Sequence, residues 1–182
     1  MRSSLVLPLV FALCAGSAVA QPKIENLSAI AAEGRVSVRF ELANAFTAGK
    51  TVQALQSGLP TSFTYVVEIF RDRPNWFDEG IARSRIEVIA TFNSVTREYL
   101  LNYRRDRKLV RSETLTDLET LERRMTSVDE PNLFEIANRR PYKLKVRVKA
   151  DFERAFLLYV VPWQISTHWR AVRVTSPPEA KP

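Results

Sequence analysis

The 182-residue chain has one cysteine and one histidine. Cys14 sits inside an apolar N-terminal run, so the rest of the chain carries no thiol. Cysteine-based zinc sites, thiol nucleophiles and a disulfide framework are therefore excluded or starved of ligands. His168 alone would have to serve any Ser-His-Asp or Cys-His arrangement. No Gly-x-Ser-x-Gly elbow accompanies it, and its place between Thr167 and Trp169 in a strand-like stretch reads as structural or exposed. Glycine is scarce: of five residues, Gly34, Gly49, Gly58 and Gly80 lie beyond the N-terminal run, each isolated, and none builds a phosphate-cradling loop. No Asp-x-Asp-x-Asp spacing offers calcium an oxygen cage. The chain thus calls for no metal and no cofactor. It also lacks any apolar run near the roughly 20 residues that span a bilayer.

What is present is an ordinary globular composition, 46% hydrophobic and 26% charged, with a formal charge of +7. Arg2 is followed by the apolar stretch Leu5 to Ala15, interrupted at Pro8, and then by Ala18-Val19-Ala20. A positive start, a short apolar segment and small residues at both cleavage positions are the three parts of an export signal. Residues 1–20 are expected to be removed between Ala20 and Gln21, giving a periplasmic protein. Bulky Leu13 before Cys14 argues against a lipoprotein signal. Export removes nucleic acid as a partner for the basic charge. Anionic lipid or cell-wall polymer remains, against the simpler reading of a solvated basic surface. Residues 21–175 read as one domain, and the proline-rich segment 176–182 reads as a disordered tail.

Period-two patterns dominate that domain. Val36, Val38, Phe40 and Leu42 alternate with Arg35, Ser37, Arg39 and Glu41, giving a strand with one dry and one wet face. Tyr142, Leu144, Val146, Val148, Ala150 and Phe152 alternate with Lys143, Lys145, Arg147, Lys149 and Asp151. Phe63, Tyr65, Val67 and Ile69 form a third set. Segments 81–93, 97–105, 167–175 and 24–32 are weaker strands. Helices are expected over Thr47–Ser57, stopped by Gly58 and Pro60, and over Thr114–Ser127, with Thr116 and Glu119 as a capping box. The pattern predicts a mainly β protein: an antiparallel β-sandwich, immunoglobulin-like in general architecture, with two short helices over an edge or end.

Two surfaces carry recognition chemistry. The segment Arg71 to Gly80 joins two strands and mixes Arg71, Arg73, Trp76 and Asp78, the guanidinium and indole groups that anchor interfaces. The alternative is internal: Trp76 caps the sandwich while Arg71 or Arg73 pairs with Asp78. The row Lys143, Lys145, Arg147 and Lys149 faces solvent on the β pattern and offers an anionic-surface contact. Trp163 and Trp169 read as core plugs rather than a ligand platform. Asp78 and Glu79 are adjacent, whereas a hydrolase needs two carboxylates about 5–9 Å apart around the scissile bond.

The order Ala54-Leu55-Gln56-Ser57-Gly58-Leu59-Pro60, Trp76-Phe77-Asp78-Glu79, Val95-Thr96-Arg97-Glu98-Tyr99, Leu115 to Leu121 and Trp163 to Arg170 resembles a family of exported bacterial proteins, domain of unknown function 4390. The stretch Glu153-Arg154-Ala155-Phe156 departs from that pattern, where a Leu-Pro element is expected. The resemblance implies no catalytic residues. It implies an envelope protein of the kind encoded beside membrane sensor kinases. The expectation is a non-enzymatic binding or interaction module partnering an envelope protein such as a sensor kinase. The alternative is a carboxylate-dependent hydrolase of an envelope glycan.

Overall fold

In the computed structural model the described residues are 20–47, 49–71, 73, 78–136, 143–153 and 165–176. The export-signal reading of residues 1–19 and the tail reading of 177–182 lie outside them. Among these residues, ten strands and two helices follow in the order β1 (Lys23–Ala32), β2 (Arg35–Ala43), α1 (Lys50–Gln56), β3 (Thr61–Arg71), β4 (Glu79–Asn93), β5 (Glu98–Arg105), β6 (Lys108–Leu115), α2 (Leu118–Thr126), β7 (Ser127–Glu135), β8 (Leu144–Glu153), β9 (Ile165–Ser166) and β10 (Arg170–Arg173). The fold is mainly β, in antiparallel sheets with two helices. One sheet runs β1-β2-β7. The other runs β10-β8-β3-β4-β5-β6, with β9 pairing β8. Thr175 joins them: its N–H donates to the Ala29 carbonyl at 3.0 Å, and its carbonyl accepts from Ala31 N–H at 2.8 Å.

The alternating patterns become burial. On β2, Val36, Val38, Phe40 and Leu42 are buried while Arg35, Arg39 and Glu41 are exposed. On β8, Leu144, Val146, Val148 and Ala150 are buried. One cluster of buried residues draws on both sheets. The Phe40 ring meets Tyr65 edge-on, centroids 5.2 Å apart. β3 lies between β4 and β8, and Val66 and Phe70 on its outer face are buried as well. Long side chains cover that face; the Arg147 guanidinium lies 5.3 Å from the Phe70 ring centroid.

α2 buries Leu121 and Met125, four apart on one helical face. Its start differs from the sequence expectation. Thr114 and Leu115 belong to β6, paired with Leu100 and Tyr99 of β5. The helix therefore begins later, and Asp117 rather than Thr116 caps it, accepting from the Thr120 N–H at 2.7 Å. Hydrogen bonds from Thr120 hold the Asp117 carboxyl below the usual carboxylate range. α1 is shorter than expected, and Gly58, at φ 77°, follows it in the left-handed conformation that favours glycine.

Candidate functional site

The ends of β3 and β4 carry the arginine loop. Arg71 and Glu79 are cross-strand partners, so their side chains share a face. Glu79 Oε2 takes both Arg71, at 3.3 Å, and Arg73, at 2.5 Å. The carboxylate that gathers the arginines is thus Glu79 and not Asp78, which is exposed. Trp76 lies outside the described residues.

The lysine row of β8 is more occupied than its alternation implies. Lys143 is exposed, whereas Lys145, Arg147 and Lys149 are half-buried. Arg147 pairs with Glu68 at 2.8 Å and its guanidinium lies 4.7 Å from the Trp169 ring centroid. Lys149 pairs with Asp151 at 3.0 Å. Trp169 does not plug the core: it is 41% exposed and lies over these cations on the outer face. His168 is exposed, and Trp163 lies outside the described residues.

A third arrangement has no counterpart in the sequence patterns. A groove of about 570 Å³ opens between β6 and β7, with α2 as one wall. Tyr103 of β5 is paired with Arg111 of β6, and the Arg111 guanidinium stacks 4.3 Å from the Tyr103 ring centroid. The Tyr103 hydroxyl donates to the Arg124 carbonyl on α2. Burial raises its phenol above the ordinary value, against the opposing pull of Arg111. Two residues further along β5, Arg105 points the same way and donates to Glu130 of β7 at 3.1 Å. Arg123 and Arg124 complete a set of four arginines, against the carboxylates Asp129 and Glu130. Asp129 is held from outside the groove by Arg39 at 2.5 Å.

Of the four guanidinium forks around the cleft, Arg105 and Arg111 already meet Glu130 and Glu113, and those of Arg123 and Arg124 suit a carboxylate or phosphate ligand, because each fork matches two acceptor oxygens. The chain carries no local signal of this groove. Arg104 to Lys108 and Arg123-Arg124 look like solvated charge, and only strand register brings Arg105 and Arg111 to the inner face.

Burial pushes the Glu130 carboxyl above its usual range, and the pull of Arg105 offsets this only in part. A raised acid favours the protonated form in the fold. Its stabilising share is therefore complete below the ordinary glutamate pKa and is lost as pH rises through the folded value. Glu130→Gln is expected to flatten the rise in stability on acidification through that range, and to melt no lower than the parent at neutral pH. Paired thermal melts across the carboxylate range check this.

The groove, the basic face and the arginine loop all lie within the segment matched by one family model, "Domain of unknown function (DUF4390)", over residues 20–173. The chain belongs to this family. The match runs from before β1 to the end of β10, so the DUF4390 unit includes both sheets and both helices. No curated protein and no solved structure matched the chain.

Proposed function

We propose that this DUF4390 chain is a non-enzymatic binding or interaction module of the cell envelope. It is exported to the periplasm after cleavage between Ala20 and Gln21, and it partners an envelope protein such as a membrane sensor kinase. The observation that carries this reading is the arginine-lined groove between β6 and β7. Guanidinium groups stacked on or beside aromatic rings are recognition chemistry. We read the architecture as an immunoglobulin-like sandwich left open along β6 and β7. The contact of Phe40 with Tyr65 across the two sheets supports that description.

The alternative, a carboxylate-dependent hydrolase of an envelope glycan, draws on Glu130, whose raised carboxyl in the groove suits a general acid. Release of reducing ends from cell-wall polymer, abolished by Glu130→Gln, would favour it.

The test is photo-crosslinking in cells, with the reactive residue placed in turn at Val110, Arg73 and Lys143. Adducts are expected at Val110 and should be lost on adding Arg123→Glu. Adducts at Lys143 alone that vanish at high salt would point to anionic lipid or cell-wall polymer. Absence of adducts at all three positions overturns the reading. N-terminal sequencing of the fractionated chain is expected to begin at Gln21.

A further inference from the structure

We propose that the groove accepts an extended acidic segment of a partner protein, which adds as a strand to the edge of β6 and sets its carboxylates against Arg111, Arg123 and Arg124. This rests on the binding-module reading and names its surface and the chemistry of its partner.

Three observations carry it. First, β6 ends its sheet. It pairs with β5 on one side, and among the described residues no other strand or loop backbone bonds to it. One row of N–H and C=O groups from Arg111 to Leu115 is therefore open to a further strand. Leu109 and Val110, 61% and 56% exposed, prolong this edge with apolar side chains. Val110 is the bulged residue, since Arg111 pairs with Tyr103 and Leu109 with Arg104.

Second, the facing edge cannot close the gap. β7 carries Pro131, which has no N–H to donate. A register shift falls between its partners Val36 and Val38 on β2, and Asn132 stands at φ 54°. A blunted edge opposite an open one leaves room for a strand supplied from outside.

Third, the charge in the gap favours an acidic strand. Arg105 is engaged by Glu130 and Arg111 by Glu113 at 2.9 Å. Arg124 lies 3.8 Å from the same Glu113, and Arg123 donates to the Thr120 hydroxyl at 3.3 Å. The α2 pair is the less tightly held, and both of its members are exposed. In an added strand every second side chain points into the groove. Acidic residues at alternate positions would therefore meet the arginines, while the backbone satisfies β6. A small anion would use the arginines and leave the edge open; a peptide uses both.

Fluorescence anisotropy with the purified chain tests this, using a labelled peptide of four Glu-Val repeats. The expected result is saturable, salt-sensitive binding. A Lys-Val peptide, and a Glu-Val peptide with alternate amides N-methylated, should each bind at least about tenfold more weakly. Arg123→Glu and Arg111→Gln should each weaken the Glu-Val peptide by about tenfold, the scale of one lost charge-assisted hydrogen bond, with cooperative melts retained. Equal binding of the N-methylated peptide overturns strand addition. A dimer in sedimentation that Leu109→Lys disperses assigns the edge to a second copy, and also overturns the proposal. If the Glu-Val peptide fails while Val110 still yields adducts in cells, this inference falls and the binding-module reading stands. If both fail, both fall.

Discussion

Val146→Asp is expected to abolish the cooperative melt, whereas Leu109→Asp is expected to melt within about two degrees of the parent. Both are aliphatic residues in strands, and both changes introduce the same carboxylate. Val146 has no exposed surface and pairs with Ile69 of β3 on one side and Val172 of β10 on the other. A carboxylate there is either ionised without a partner or held protonated without one. Either way it costs several kcal/mol, a large share of the roughly 5–15 kcal/mol that holds a domain together. Leu109 is 61% exposed and pairs across the strands with Arg104, so a negative charge there meets water. Circular-dichroism melts of the two variants side by side are the check. Comparable losses of melting temperature would mean that β8 does not hold its register.

The second large effect is expected at Tyr65. Its ring is fully buried, packs against Phe40, and donates its hydroxyl to the Met125 carbonyl at 2.7 Å. Tyr65→Ala empties the place where the two sheets and α2 meet, at a cost of about 3–5 kcal/mol. For a domain of this size that lowers the melting temperature by roughly 10 °C or more. Tyr65→Phe keeps the ring and leaves the Met125 carbonyl without its donor, costing about 1–3 kcal/mol. The two variants thus divide the site into packing and hydrogen bonding. Burial first, and Tyr103 second, raise the Tyr65 phenol well above its ordinary value. Its share of stability is therefore complete below the ordinary phenol range and is lost as pH rises toward the folded value. Tyr65→Phe should lack that alkaline loss, which melts at high pH would reveal.

The strands that were legible in the chain are those with one wet and one dry face. β2 and β8 carry their burial as a period of two, because each is covered on one side by the core. β6 carries no such period, because its residues from Lys108 to Ser112 are exposed whichever way they point. In β7, Pro131 and the irregularity near Asn132 break the alternation. For α2, the apolar stripe of Leu118, Leu121 and Met125 was readable while its start was not. Thr116 with Glu119, and Asp117 with Thr120, both satisfy local capping patterns. The choice falls to the pairing of β6 through Leu115, a contact with β5. The groove was invisible for a related reason. Its arginines come from β5, β6 and α2, and nothing local distinguishes Arg105 or Arg111, which face inward, from Arg107 in the turn between them. The Arg71 and Arg73 pairing was half legible: both Asp78 and Glu79 are near in the chain, and the cross-strand register of Arg71 selects Glu79.

The bond between Thr175 and Ala29 spans 146 residues of chain. Contacts of such long separation are the slow ones to form, because most of the loop entropy must be lost before they return anything. β1, the N-terminal strand among the described residues, therefore completes its ladder only when residues beyond β10 have been made. Until then the Ala29–Ala31 edge is open to any stray strand, and a chain interrupted before Thr175 would keep it open. Timing of synthesis, and not only equilibrium stability, thus bears on how safely this domain reaches its final form.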